Sequence, residues 1–175
     1  MANVKHYILT SVTLGAIAAA SALLIGGANM ITRQKIAQNE LDKINSGIAS
    51  IYGDSAVISN ETDIKNDAYK YVEHVYEISV SEAASGYAFR TTGSNMYGKI
   101  SLIVGFNLDS DFIRLTIVTN EQTYASTLVD NYIVPLNDNS RDLNDVTCGA
   151  TYGAKLVRDM VNEAKQASLD KVWQK

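Results

Sequence analysis

The residues of this chain best suited to chemistry lie close together near its end. In DVTCGATYG, residues 145–153, Asp145, Thr147, Cys148, Thr151 and Tyr152 are interleaved with Gly149, Ala150 and Gly153. The segment leads directly into a helical pattern. A helix N-terminus presents unpaired N–H donors and a partial positive charge, which suits a phosphate. Here the small residues remove side-chain bulk from the helix start while Thr147 and Thr151 place hydroxyls beside it. Thr and Asp ahead of a helix are equally ordinary caps, and small residues equally mark tight packing, so the segment alone leaves both readings open.

Other constellations are absent. The chain holds no G-x-S-x-G elbow, no P-loop, no H-E-x-x-H and no dinucleotide-type G-x-G-x-x-G after a strand. One Cys and two His, His6 and His74, cannot supply an internal disulfide, a zinc set or an iron–sulfur set. Cys148 reads as a small, partly buried residue with no His in local reach, and His74 as a structural or exposed residue in a strand. Asp109 and Asp111 flank a turn, and Asp138, Asp142 and Asp145 fall in a loop, as solvated turn residues do. With 15 basic against 19 acidic residues the net charge is −4 and no Lys/Arg run occurs, which argues against nucleic acid as a partner.

The elements that must position the 145–153 segment are legible in outline. From Tyr7 to Thr32 there are 26 residues without Asp, Glu, Lys or Arg. At about 1.5 Å per residue such a run covers roughly 39 Å, enough to span a hydrocarbon core of about 30 Å with some tilt. A cleaved signal peptide is the competing reading, disfavoured because the run is long for an h-region and helical sequence follows it directly. Lys5 stands on one side and Arg33, Lys35 and Lys43 on the other, so charge bias does not favour a cytoplasmic N-terminus and by itself leans the other way.

Beyond it Ile36, Leu41, Ile44, Ile48 and Ile51 form a helical stripe that ends near Gly53. Segments 55–58, 75–80, 86–90, 99–106 and 112–119, rich in Val, Ile, Tyr and Phe, read as strands. Turn clusters such as TTGSN and NLDSD separate them. Residues 123–133 are ambiguous but compatible with a short helix, Pro135 follows where the chain can reverse, and 153–173 is an amphipathic helix. The expected architecture is α+β. A tail and transmembrane helix occupy residues 1–32, an amphipathic stalk 33–53, and one compact domain with a small sheet and flanking helices 54–175. The part from Arg33 onward carries 14 basic and 19 acidic residues, a net charge of −5.

Four segments in order resemble the RnfG family, the FMN-binding subunits of the Rnf membrane electron-transport complex, which are related to the NqrC subunits of sodium-translocating NADH:quinone reductase. ALLIGGANMITRQKIAQNE is similar to the family's Asn-x-hydrophobic-Thr-x-x-x-Ile-Ala pattern through Asn29, Ile31, Thr32, Ile36 and Ala37. GYAF at 86–89 resembles the strand that opens the flavin domain. MYGKISLIVGF, through Tyr97, Gly98, Ile100, Val104 and Gly105, resembles GYGGxIxxxVG. DVTCGAT resembles D-x-x-S/T-G-A-T, in which a flavin transferase esterifies the phosphate of FMN onto the last Thr.

The resemblance implies that Thr151 carries FMN covalently, with Asp145, Thr147, Cys148, Gly149, Ala150 and Tyr152 around it. It implies a single-pass protein of the cell membrane whose C-terminal domain is extracytoplasmic. Its partners would be the lipid bilayer, the flavin transferase during maturation and the other membrane subunits of the Rnf complex. The work implied is electron relay within an ion-translocating ferredoxin:NAD oxidoreductase, with no substrate turned over by this chain alone.

The chain departs from the pattern at Cys148, where Ser or Thr is usual, and at Gly153. It departs again in QTYAST, residues 122–127, where ETPGLG is usual, so Pro and both Gly are absent. Tyr97, Tyr124 and Tyr152 are candidate neighbours of the flavin ring on chemical grounds. A free-standing extracellular flavinylated carrier, and a membrane-anchored binding domain that has lost its flavin, are the alternative expectations.

Overall fold

A computed structural model describes residues 2–64, 68–171 and 173. The uncharged run and the stripe after it fall in one helix, α1 (Ala2–Tyr52), closed by Gly53 in a left-handed conformation at φ +97°. The chain divides into two units, Met1–Asp42 and Lys43–Lys175. In the first, His6–Gly27 is a 22-residue apolar segment long enough to cross a membrane by length and composition. Its large side chains, such as Leu14, Leu23 and Ile25, are exposed.

In the second unit five strands form an antiparallel sheet in chain order: β1 (Ala56–Asp63), β2 (Val72–Val80), β3 (Ala83–Asn95), β4 (Gly98–Phe106) and β5 (Phe112–Asn120). Each expected strand is present, and β1, β2 and β3 run longer than the pattern suggested. TTGSN is not a turn but the end of β3, with Gly93 paired to Ile100. Gly93 is there because α4 (Thr151–Asp170) crosses it: a Cβ would come within 2.8 Å of Leu156 Cδ1. The reversal falls instead at Met96 and Tyr97, where the Tyr97 N–H donates to Asn95 Oδ1 (2.8 Å) and Gly98 adopts φ +132°. The NLDSD turn is present, with Asn107 Oδ1 accepting from the N–H groups of Asp109 and Asp111.

Both faces of the sheet are covered, which is why β4 is buried without a break from Ile100 to Phe106 rather than at alternate residues. On one face Ile44 and Ile48 of α1 pack with Tyr76, Ile78, Ala88, Ile103 and Val118. On the other, Leu156, Val157, Met160, Val161 and Ala164 of α4 meet Phe89, Ile100, Val104 and Phe106. Each such buried Leu, Val or Met contributes about 1.5–3 kcal/mol of transfer free energy. Ile36 and Leu41 of the stripe, by contrast, are exposed.

The ambiguous segment is helical over a longer stretch: α2 (Ala125–Leu128), a π-helical turn (Val129–Ile133) and α3 (Val134–Asn137). Pro135 lies inside α3 rather than after it. The wide π turn just before it accommodates a residue with no N–H and a ring that crowds the preceding carbonyls. The chain reverses only afterwards, through Asn139 at φ +56°, with the Ser140 and Arg141 N–H groups on the Pro135 carbonyl. Helix α4 begins two residues earlier than expected and ends at Asp170, capped by Lys171 at φ +46°. Trp173, expected inside it, packs on Tyr87 and Phe89 with ring centroids at 4.9 and 5.4 Å.

Candidate functional site

Thr151 is the first residue of α4. Its N-cap is Ala150, which has no side chain able to cap, and the first intrahelical bond runs from the Ala154 N–H to the Ala150 carbonyl at 3.0 Å. The N–H groups of Thr151, Tyr152 and Gly153 therefore precede that bond and are met by no capping side chain, the condition under which a helix start attracts an anion. The Thr151 side chain is half-buried and reachable from solvent.

The loop before it is held by its own sequence. Arg141 Nη1 donates to the carbonyls of Asp145 (2.8 Å) and Thr147 (3.2 Å) and lies 3.1 Å from Asp145 Oδ2. The Thr147 N–H leans on Asp145 Oδ1 at 3.4 Å. Asp145 thus shapes the loop rather than aiming at Thr151. Cys148 is buried among the core side chains, and its carbonyl accepts from Asn131 Nδ2 of the π-helical turn at 3.2 Å. Its thiol serves as a small core group. Gly149 turns the chain outward at φ +81°, a left-handed conformation costly for any residue with a Cβ.

QTYAST forms the facing wall. Gln122 is buried, with Nε2 donating to the Gly98 carbonyl, while the Thr123 N–H donates to the Tyr97 carbonyl at 2.8 Å. A Cβ on Gly153 would stand 3.0 Å from Leu128 Cδ2 and 3.4 Å from Gln122 Oε1, so the missing side chain lets α4 settle against this wall. Tyr124 is the residue preceding α2. Asn95 Nδ2 donates to the Tyr152 carbonyl at 3.2 Å, joining the β3–β4 hairpin to the helix start.

The three candidate tyrosines converge here. The Tyr97 ring lies 5.7 Å from that of Tyr124, edge-on, and 5.6 Å from that of Tyr152. Lys155, one turn along α4, sets its ammonium 5.8 Å from the Tyr152 ring. Together with Leu128 and residues 149–153 the tyrosines line a cleft of about 50 Å³. Enclosed sites for cofactor-sized ligands run to about 300–1,000 Å³. Beside the helix start there is room for a group of phosphate size and not for a tricyclic ring. An FMN phosphate esterified to Thr151 would fit there only with its ring outside the cleft.

The structure brings together Thr151, Gly149, Ala150, Tyr152 and the Tyr97–Tyr124 pair, and leaves Asp145, Thr147 and Cys148 as loop and core residues behind them. Arg141, Asn131, Asn95 and Gln122 escape a reading of the motif. Only Arg141, four residues before Asp145 and of opposite charge, carries a sequence signal. Among the described residues, no group of three or more His, Cys, Asp or Glu is arranged to hold a metal ion. No protein-family model matches the chain, and no curated protein does.

Proposed function

We propose that this chain is a membrane-anchored electron carrier bearing FMN as a phosphoester on Thr151. It would serve as the flavin subunit of an Rnf-type ion-translocating complex, with its folded domain outside the cytoplasmic membrane. The observation that carries this reading is the position of Thr151: a reachable hydroxyl at the uncapped first residue of α4, in a cleft of phosphate size framed by three tyrosines. The apolar segment His6–Gly27 supports the anchor, and the resemblance of the segments around Asn29, Gly86, Tyr97 and Thr151 supports the assignment to the complex.

FMN, when bound, accepts and donates electrons one or two at a time. The chain's residues hold and present it. The N–H groups of Thr151, Tyr152 and Gly153 stabilise the phosphate charge at the helix start. Gly149 and Gly153 keep side chains out of its way. An ester tether retains the cofactor outside the cell, where a dissociated one would be lost.

The test is fluorescence of the protein band under ultraviolet light after denaturing electrophoresis of membranes from the native host, where the flavin transferase is present. A bright band that Thr151→Ala removes is expected. A dark band beside a fluorescent control would overturn the reading and favour a binding domain that has lost its cofactor. Co-purification of the band with a multi-subunit membrane complex separates the complex subunit from a free-standing carrier.

A further inference from the structure

Large exposed apolar or aromatic side chains are few in residues 43–175, and three of them gather at one place. Met96 is 81% exposed at the tip of the β3–β4 hairpin, Tyr152 is 59% exposed and Tyr124 52%, with Tyr97 between the two tyrosines. Neither exposed tyrosine is needed to fill the core, and no sheet or helix partner covers them among the described residues. They surround the mouth of the cleft that holds Thr151, and that cleft is too small to admit a tricyclic ring.

We propose that Tyr97, Tyr124 and Tyr152 are the platform on which the isoalloxazine ring of Thr151-linked FMN lies, one face against the phenols and the other open to a redox partner. The proposal rests on the flavin reading above and adds the residues that hold the ring. An aromatic ring packs edge-on or offset against another at centroid distances of about 4.5–7 Å, and the tyrosines already stand to one another in that range. A planar aromatic ligand tethered at the helix start and barred from the cleft rests its benzenoid part against these mutually inclined rings and leaves its polar pyrimidine end to solvent. Gln122 and Asn95 fix the platform from behind. Gln122 holds the Gly98 carbonyl at the hairpin turn, and Asn95 holds the Tyr152 carbonyl. Tyr124, which stands in the segment lacking Pro and Gly, supplies a contact of its own.

A phenol in contact with an excited flavin lends it an electron and takes it back, and this quenches flavin emission without net chemistry. The test therefore compares emission per flavin, native and denatured, in the full-length flavinylated protein purified from its host. Wild-type emission should be quenched in the native state and rise several-fold on unfolding. Tyr124→Leu should keep the fluorescent band of the denaturing gel while its native emission rises well above that of the wild type. Tyr124→Phe, which keeps a ring but is far harder to oxidise, should also brighten. A bright band with equal native and denatured emission in the wild type overturns the platform and leaves the ester intact. So does a Tyr124→Leu protein as dim as the wild type. A dark wild-type band overturns the flavin reading itself, and the platform with it.

Discussion

Arg141 and Asp145 are joined twice: the guanidinium lies 3.1 Å from the Asp145 carboxylate and donates to its backbone carbonyl at 2.8 Å. The acidic residue of the DVTCGAT segment is thereby turned to its own loop, and the shape of the approach to Thr151 depends on a cation outside the segment. The Asp145 side chain is more than half exposed, so the ionic contact itself contributes only about 0–1 kcal/mol. Arg141→Ala should leave the thermal midpoint within a few degrees of the wild type and lower the flavin content of the gel band. Unchanged flavin content in that variant would show that the loop does not need its clamp.

Thr151→Ala should remove covalent flavin completely and change stability by no more than about 0.5 kcal/mol, because the side chain is half-buried at a helix end and alanine is a good helix former. Thr151→Ser should restore the fluorescent band. Gel fluorescence and a urea titration on the same preparations check both statements.

Gly149→Ala should cost about 1–2 kcal/mol, since φ is +81° and the new Cβ would stand 3.2 Å from Thr127 Cγ2. The same change should displace Thr151 relative to Tyr124 and depress flavinylation. A variant as stable and as fluorescent as the wild type would contradict this account of the turn.

Cys148→Ser buries a hydroxyl where a thiol now sits among core side chains. The expected cost is about 1–3 kcal/mol, with flavinylation retained. The native thiol should resist a water-soluble thiol reagent and react on unfolding. Rapid labelling of the native protein would show that Cys148 is not a core residue.

Tyr52 ties the end of α1 to the sheet. Its hydroxyl accepts from the Phe106 N–H at 3.0 Å and reaches the Tyr87 and Phe106 carbonyls at 2.8 and 2.9 Å, in space left by Gly86 and Gly105. Burial pushes its phenol well above the ordinary 10, and does the same for Tyr132; Tyr76 is pushed up to about 12, again chiefly by burial. A raised phenol pKa means that the folded state holds the proton more tightly than the unfolded one. The associated stability is fully present below about pH 10 and is lost as pH rises from there through the folded values. Urea midpoints should be flat in this respect from about pH 8 to about 9.5 and fall steeply above about 10. Tyr52→Phe should be less stable at neutral pH by about 1–3 kcal/mol and lose midpoint less steeply in alkali.

Much of this molecule is written in local pattern, because hydrophobic period and charge act on neighbouring residues. The uncharged run, the Ile44–Ile48–Ile51 stripe, five strands and the amphipathic face of α4 all follow from residues close in the chain. Residues 145–153 taken alone leave a phosphate site and an ordinary helix cap equally open. Local pattern misleads where a distant partner decides. Gly93 in TTGSN has the type and the neighbours of a turn residue, yet it pairs with Ile100 in the sheet, and Leu156, far along the chain, occupies the space of its missing side chain. Pro135 has the type of a terminator, yet a π turn built on Tyr132 and Ile133 in the core carries the helix through it.

The site divides in the same way. Composition could nominate Thr151 and its small neighbours, since they are contiguous. That the Tyr97 ring stands within 6 Å of both Tyr124 and Tyr152 follows from the β3–β4 hairpin, the segment before α2 and the start of α4 meeting at one end of the sheet. The buried role of Cys148 and the clamp of Arg141 on its loop likewise required the chain to close on itself. Side-chain spacing along a segment is set by the backbone period, but proximity between segments is set by how the two faces of the sheet are covered. Only the packed structure contains that information.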